Sequence, residues 1–310
     1  MQGTLSSPRM VATVEAPASA AAPPSQRILA GILFMCGAGL LFPVMSGFAK
    51  FLGEDGYSSL QVSWARAFGH IVFMLAFFVP RFGLRMLKTR RPLIQLLRSS
   101  MLFSSNATNF FAITFIPLAK TASISLMAPL LVVPLAWAIL GERTTRQRMA
   151  ALMTGFVGVL IVIRPGTELF HWASLFAVAS AVCYAVYQVM TRRIAGYDPP
   201  ETSTIYSSVV GAFGMFLVLP FVWRTPDSLR DIAYFCSLGV IGAIGHYLVA
   251  NALTNAPANI VAPFQYMQLI GSVAVGYFFF GDFPDVLTWL GAAIIVASGL
   301  YIGWSQTRKA

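Results

Sequence analysis

Ten runs of mostly apolar residues follow one another along the 310-residue chain, at 28–50, 59–80, 95–116, 120–140, 149–164, 171–190, 203–223, 232–254, 258–280 and 286–305. A helix needs about 20 such residues to cross about 30 Å of hydrocarbon. The connections are short, and nothing between the runs is large enough to fold as a soluble domain. The expected fold class is therefore an all-α integral membrane protein with ten transmembrane helices. The fifth run is the shortest, and Gly155 and Gly158 within it would allow close approach of a neighbouring helix.

Composition narrows the function. Only 10% of residues are charged and 57% are hydrophobic, against about 25% charged in a soluble domain. That excludes a soluble enzyme, and it excludes disorder for the bulk of the chain. The formal charge of +10 would suggest nucleic acid in a soluble protein. Here basic residues flanking membrane spans explain it, so the bilayer is the expected partner and nucleic acid is not. Cys36, Cys183 and Cys236 lie in apolar runs without metal or disulfide spacing. Residues 1–26 are rich in Ala, Pro and Ser and read as a disordered cytoplasmic tail. A cleavable signal peptide fits poorly, since the Ala-rich stretch precedes the apolar run.

Orientation follows from Lys and Arg in short loops. With the N-terminus inside, Arg9, Arg27, Arg81, Arg85, Lys88, Arg90, Arg91, Arg143, Arg146, Arg148, Arg192, Arg193, Arg308 and Lys309 fall on the cytoplasmic side. Lys50, Lys120, Arg164, Arg224 and Arg230 fall outside. Arg98 opens the third run on the inner side, and Arg66 is left inside the second. Both termini are expected in the cytoplasm, with the chain in the inner, cytoplasmic membrane.

Sliding the sequence by 140 residues sets Ala112 on Ala252, Pro117 on Pro257, Ala122 on Ala262, Val133 on Val273, Gly141 on Gly281 and Glu142 on Asp282. A slide of 142 sets Lys50 on Arg192. The repeating unit is five helices. Five is odd, so the second copy would be inserted upside down, and inverted repeats with a midplane site between them are a transporter architecture.

The chain resembles the drug/metabolite transporter superfamily, in its ten-helix branch with two EamA domains. The carrying stretches are Trp64-Ala65-Arg66-Ala67-Phe68, Pro117-Leu118-Ala119-Lys120-Thr121-Ala122, Leu140-Gly141-Glu142-Arg143, and Gly276 to Asp282 with Pro284-Asp285. The run Pro263-Phe264-Gln265-Tyr266-Met267-Gln268 is also similar to a sub-branch that includes S-adenosylmethionine uptake carriers. The resemblance implies two EamA repeats, at 27–165 and 171–305. It also implies a substrate site between them, lined by runs one to four and six to nine, with runs five and ten as peripheral supports. Asp282 departs from the glutamate common in the family but keeps the charge.

Arg66 is the sharpest candidate for binding. It lies about 12 Å into its helix at 1.5 Å per residue, where a charge costs roughly 2.5–3.5 kcal/mol. It could hold an anionic substrate group or act in a gate; snorkelling or a bond to a neighbouring carbonyl would be the plainer explanation. His70 follows on the same helix face. Run three carries Ser104, Ser105, Asn106, Thr108 and Asn109; Gln188, His246, Asn251, Asn255, Gln265 and Gln268 lie in the second half. Amides cannot face lipid unsatisfied, and as a group they suggest a polar cavity drawn from both halves. Singly, each could be interhelical glue. Trp64, Tyr184, Tyr187, Phe264 and Tyr266 sit beside these positions and could stack on a flat or cationic substrate, although ordinary packing would also account for them. The expected substrate-binding set is Trp64, Arg66, His70, Asn106, Asn109, Tyr184, Gln188, His246, Gln265 and Gln268. Snorkelling accounts for Lys50 and Arg192, and an exposed ion-pair cluster for Glu142 with Arg143 and Arg146.

Absent motifs also argue. There is no phosphate loop, no H-E-x-x-H and no G-x-S-x-G, so neither an ATP drive, a cofactor or metal, nor a catalytic set is expected. No Asp or Glu falls at mid-run, which leaves His70 and His246 as groups that titrate near neutrality. The expectation is a secondary transporter moving a small organic metabolite by alternating access. A non-transporting scaffold or regulator is the other class. Within transport, uptake of an S-adenosylmethionine-like substrate stands beside export. Monomer and homodimer are both open.

Overall fold

The computed structural model describes residues 25–140, 146–164, 167 and 170–307. Most of the expected tail lies outside these residues, as do Gly141, Glu142 and Arg143. Ser25 and Gln26, read as its end, instead open the first helix.

The described residues form helices and no strand. Helix α1 (Ser25–Glu54) is continuous through Pro43. Helix α2 (Ser59–Phe73) starts at Ser58, whose Oγ accepts from the amide of Leu60 at 3.3 Å. It runs on through a π turn, Met74–Phe78, into α3 (Val79–Phe82). Pro80 has no N–H to give the ladder, which accounts for the loosened turn before it. A 3₁₀ turn, Leu84–Leu87, leads to α4 (Pro92–Ile113).

The fourth apolar run is two helices, α5 (Leu118–Ser125) and α6 (Met127–Leu140). Pro129 cannot donate to the carbonyl of Ser125, and the break falls there. Helix α7 (Arg146–Ile163) closes the first half, and α8 (Ser174–Ile194) opens the second.

The run expected at 203–223 is not one helix but α9 (Pro200–Tyr206), α10 (Val209–Phe213), a 3₁₀ turn, and α11 (Leu219–Val222). Its hydroxyls compete for the ladder: Thr204 donates to Pro200 O at 2.7 Å and Ser207 to Thr204 O at 2.5 Å. Helix α12 (Leu229–Asn255) is long and unbroken. The next run is α13 (Ala258–Val261), a 3₁₀ turn over Ala262–Tyr266 that contains Pro263, and α14 (Met267–Phe280). Under the slide of 140, this break coincides with the break at Leu126. Helix α15 (Val286–Thr307) is the last described element.

Five segments among the described residues are long and apolar enough to cross a membrane: Arg27–Glu54, Ser59–Phe82, Leu118–Ile139, Ser174–Ile194 and Leu229–Asn255. Met149–Ile163, Phe264–Phe280 and Val286–Tyr301 are apolar but shorter. Helix α4 is long but carries too many polar side chains, and the α9–α11 segment is too broken. The outer surface is apolar: Phe221, Leu229, Phe278 and Val286 are largely exposed, as side chains facing acyl tails would be.

The two halves interlock. Helix α1 packs on α12 and α14, α4 on α8, α2 on α12, and α7 on α15. At the last crossing, a Cβ on Gly158 would come within 2.8 Å of Gly291 O, so only glycine permits that approach. At the α2–α12 crossing the backbones touch, and a Cβ on Gly239 would lie 2.5 Å from Gly69 Cα.

Polar contacts gather the connections at two ends. At one, Asp55 meets Arg230 at 2.6 Å, Tyr57 Oη donates to Asp231 at 3.0 Å, and Arg164 meets Asp285. Gln61 exchanges bonds of 2.6 and 2.9 Å with the main chain of Arg224. At the other, Asp198 accepts from Thr89, from the amide of Arg90 at 3.0 Å and from Gln95 at 2.9 Å. Among the described residues every ion pair lies at the first end.

Candidate functional site

Between the ends lies a small cavity lined by both halves, with room of about 70 Å³, less than a drug-sized ligand occupies, so a bound metabolite would require it to widen. Helical periodicity builds its walls. Leu102, Ser105, Asn106 and Asn109 recur three and four residues apart, and so share one face of α4. Ser180 and Tyr184 do the same on α8, and Phe42 and Ser46 on α1. Gln265 comes from the 3₁₀ turn before α14, Gln268 from α14, and His246 from α12. Six of the ten expected residues, namely Asn106, Asn109, Tyr184, His246, Gln265 and Gln268, thus face one space.

The walls are braced from behind. Ser105 and Ser180 exchange hydroxyl-to-carbonyl bonds of 3.0 and 2.8 Å, which locks α4 to α8. Gln188 does not line the cavity. It pairs with Gln265 through reciprocal amide bonds of 3.2 and 2.7 Å, fixing the orientation of Gln265. Asn106 spends its NH₂ on Leu102 O at 2.7 Å. Its carbonyl keeps its lone pairs for another donor. Asn251 and Asn255 bond carbonyls of their own helix and do not contribute.

Arg66, His70 and Trp64 stand apart from the cavity. Trp64 donates to Ala212 O at 3.1 Å and stacks on Phe68 at 5.1 Å between centroids. Arg66 and His70 are fully buried on α2 behind His246, whose ring lies 6.1 Å from that of His70. Nε and Nη1 of Arg66 and both ring nitrogens of His70 have no hydrogen-bond partner. His246 reaches Tyr187 Oη at 3.4 Å and packs on Phe42 at 5.1 Å. A cationic group therefore backs the cavity, and the lining itself carries no Asp, Glu, Lys or Arg.

Sequence reasoning missed four positions, Arg98, Lys50, Arg192 and Ser180. Arg98, counted among the inner basic residues, is fully buried. Its Nε and Nη2 bond Gln95 Oε1 at 3.1 and 2.8 Å, Nη1 bonds Thr191 at 3.1 Å, and Nη2 also meets Ser203 O. Lys50 does not snorkel: it is buried and pairs with Asp282 at 2.6 Å. Arg192, also read as snorkelling, donates to Leu253 O at 3.0 Å. The slides set Lys50 on Arg192 and Glu142 on Asp282, so repeat symmetry gave no signal that Lys50 and Asp282 would meet. For Ser180, one hydroxyl in an apolar run, there was none either.

Comparison with known proteins bears on this arrangement. The chain is 29% identical over 261 residues to an S-adenosylmethionine uptake transporter of Rickettsia prowazekii (strain Madrid E), covering 84% of this chain and 88% of that one. It is 29% identical over 285 residues to a riboflavin transporter of Vibrio cholerae serotype O1, covering 91% and 95%. A solved crystal structure superposes with a TM-score of 0.64 at 21% identity, over 90% of this chain and 98% of the other, and shares the fold. The EamA-like transporter family model matches twice, at residues 29–164 and 171–304. A cavity walled by both matched halves is what a carrier requires, and the chain belongs to the EamA-like transporter family of multi-pass membrane proteins that move small molecules.

Proposed function

We propose that the protein carries a small metabolite bearing a flat nitrogen heterocycle, bound in the central cavity and moved by alternating access. The chain crosses the inner membrane ten times as two inverted five-helix units, 27–165 and 171–305. Runs 95–116 and 203–223 cross despite their polarity, because their polar faces are covered by protein. The end that carries Arg81, Arg85, Lys88, Arg90, Arg91, Arg192 and Arg193 is cytoplasmic, as are both termini. The ion-paired end faces outward.

The observation that carries this reading is the chemistry of the cavity wall. Side-chain amides from both halves offer paired donors and acceptors, which suit the edge of a heterocycle, and Tyr184 offers a ring face for stacking. The two relatives are named for S-adenosylmethionine and riboflavin, and both compounds carry a flat nitrogen heterocycle together with oxygen-rich groups. The guanidinium of Arg66 behind His246, with Nε and Nη1 unpartnered, favours those oxygens and disfavours a bare cation.

Purified protein tested in separate arms with riboflavin and with S-adenosylmethionine distinguishes the sources. A ligand that binds only the folded state raises the melting temperature by mass action, and the same ligand should show saturable flux into liposomes. Tyr184→Ala and Gln268→Leu should each weaken binding about tenfold, the loss of roughly one good contact. Folded protein that responds to neither probe, nor to a panel of nucleobases and flavins, would overturn the heterocycle assignment.

A further inference from the structure

The central cavity continues toward the ion-paired end as a narrower polar seam. Ser46 on α1, Asn109 on α4, Thr121 and Ser125 on α5, and Gln268 and Ser272 on α14 line it around a space of only about 10 Å³, room for a single water. Ser46, Asn109, Ser125 and Gln268 line both spaces, so the seam is the cavity's extension. Interhelical glue does not explain these side chains. Thr121 bonds Pro117 O on its own helix at 3.2 Å, and among the described residues no hydrogen bond ties the six to one another.

Lys50 sits one turn beyond Ser46 on the same face of α1. Its Nζ reaches Asp282 at 2.6 Å, lies 3.8 Å from Glu54 and stands 4.4 Å over the ring of Phe280. The backbone of Asp282 closes against the far end of the seam, where a Cβ on Gly276 would lie 3.3 Å from Asp282 O and 4.0 Å from Leu118 Cβ. Lys50 and Asp282 belong to different halves, 232 residues apart. Lys50 is 8% exposed and Asp282 29%, so the pair straddles the boundary between protein and water. An ion pair so placed is weak enough to exchange for water and strong enough to bias closure.

We propose that Lys50 and Asp282 are gating residues, closing the outer end of a translocation path that runs from the cavity through the hydroxyl-lined seam. This rests on the transport reading above, but not on the identity of the substrate.

The test is access of an impermeant thiol reagent to a cysteine at Ser272, with Cys36, Cys183 and Cys236 replaced by alanine, in right-side-out and inside-out vesicles. A separate cysteine at exposed Phe283 identifies the vesicles that present the Asp282 face. From that face, Ser272→Cys should label slowly with the pair intact. It should label at least tenfold faster in Lys50→Met and again in Asp282→Asn. The reversed pair, Lys50→Asp with Asp282→Lys, should return the rate to within threefold of the parent. Each variant must also label at a Phe283 cysteine, which reports correct insertion. An unchanged rate in either single variant overturns the gate. A failure of riboflavin and S-adenosylmethionine to bind leaves these rates untouched and counts only against the substrate assignment.

Discussion

Arg66 and Arg98 are both fully buried guanidinium groups of the first half, and the fold treats them in opposite ways. Around Arg98 the protein has built a cage: Gln95, Thr191 and Ser203 take its N–H groups, the ring of Tyr187 lies 5.2 Å from Cζ, and Asp198 orients Gln95. Around Arg66 it has built clearance. Gly242 has no side chain to crowd Nη1, and Nε and Nη1 have no protein acceptor. A satisfied buried cation ties helices together. An unsatisfied one costs stability and is retained for what it does to something else.

This contrast orders the expected effects of mutation. Arg98→Ala should be the most damaging to the fold, by about 3 kcal/mol or more, because it strands Gln95 Oε1 and Ser203 O in the interior and leaves a void. Thermal unfolding in detergent measures this, and a loss under about 1 kcal/mol would end the distinction between the two arginines.

Arg66→Met should leave folding within about 1 kcal/mol of the parent, since it removes an unpaired charge and keeps the bulk. Flux of the bound substrate should nevertheless fall at least about tenfold, through loss of the positive charge that backs the cavity wall behind His246. Arg66→Lys keeps that charge and should retain more flux than Arg66→Met. Normal flux in a correctly inserted Arg66→Met protein would make Arg66 a packing residue. Breaking one side of the reciprocal amide pair with Gln188→Leu should cost about 1–2 kcal/mol. Gln188→Leu with Gln265→Leu together should cost less than the two single changes summed, because neither amide is then left stranded. The smallest effect is expected of Gly242→Ala, whose Cβ would lie 3.3 Å from Arg66 Nη1. A shift of a few tenths of an ångström should reduce flux two- to threefold with little change in melting. Equal damage to both would mean that the clearance serves packing alone.

Much of the helical layout was legible because apolar runs of membrane length are a coarse signal that local detail cannot hide. The breaks near Pro80, Pro129 and Pro263 fall inside runs read as single spans, and proline alone did not mark them, because α1 continues through Pro43 and α6 through Pro134. The break at 207–208 was harder to foresee, because Ser and Thr bend a helix only when they turn back on it. Within the cavity, amides were legible as a class: a polar group in an apolar run must find protein or water. Which way each one points was not. Trp64 and Asn106 look alike as polar or aromatic residues among apolar neighbours, yet one faces α10 and the other the cavity. Arg98 was counted with the inner charges and Lys50 was read as snorkelling, and only the partner segments, about a hundred or more residues away, show that both are held inside the protein.

The bare contact between Gly69 and Gly239 has a mechanical consequence. It joins α2 of the first half to α12 of the second with no side chains between them. Where side chains interdigitate, sliding one half on the other would drag them out of register. Backbone resting on backbone has no ridges to unlock, so a small tilt there costs little. For two halves that rock in turn toward each side of the membrane, a crossing of this kind would serve as a pivot. The Lys50–Asp282 pair and the Asp198 cage would then sit at the two ends of the lever it supports.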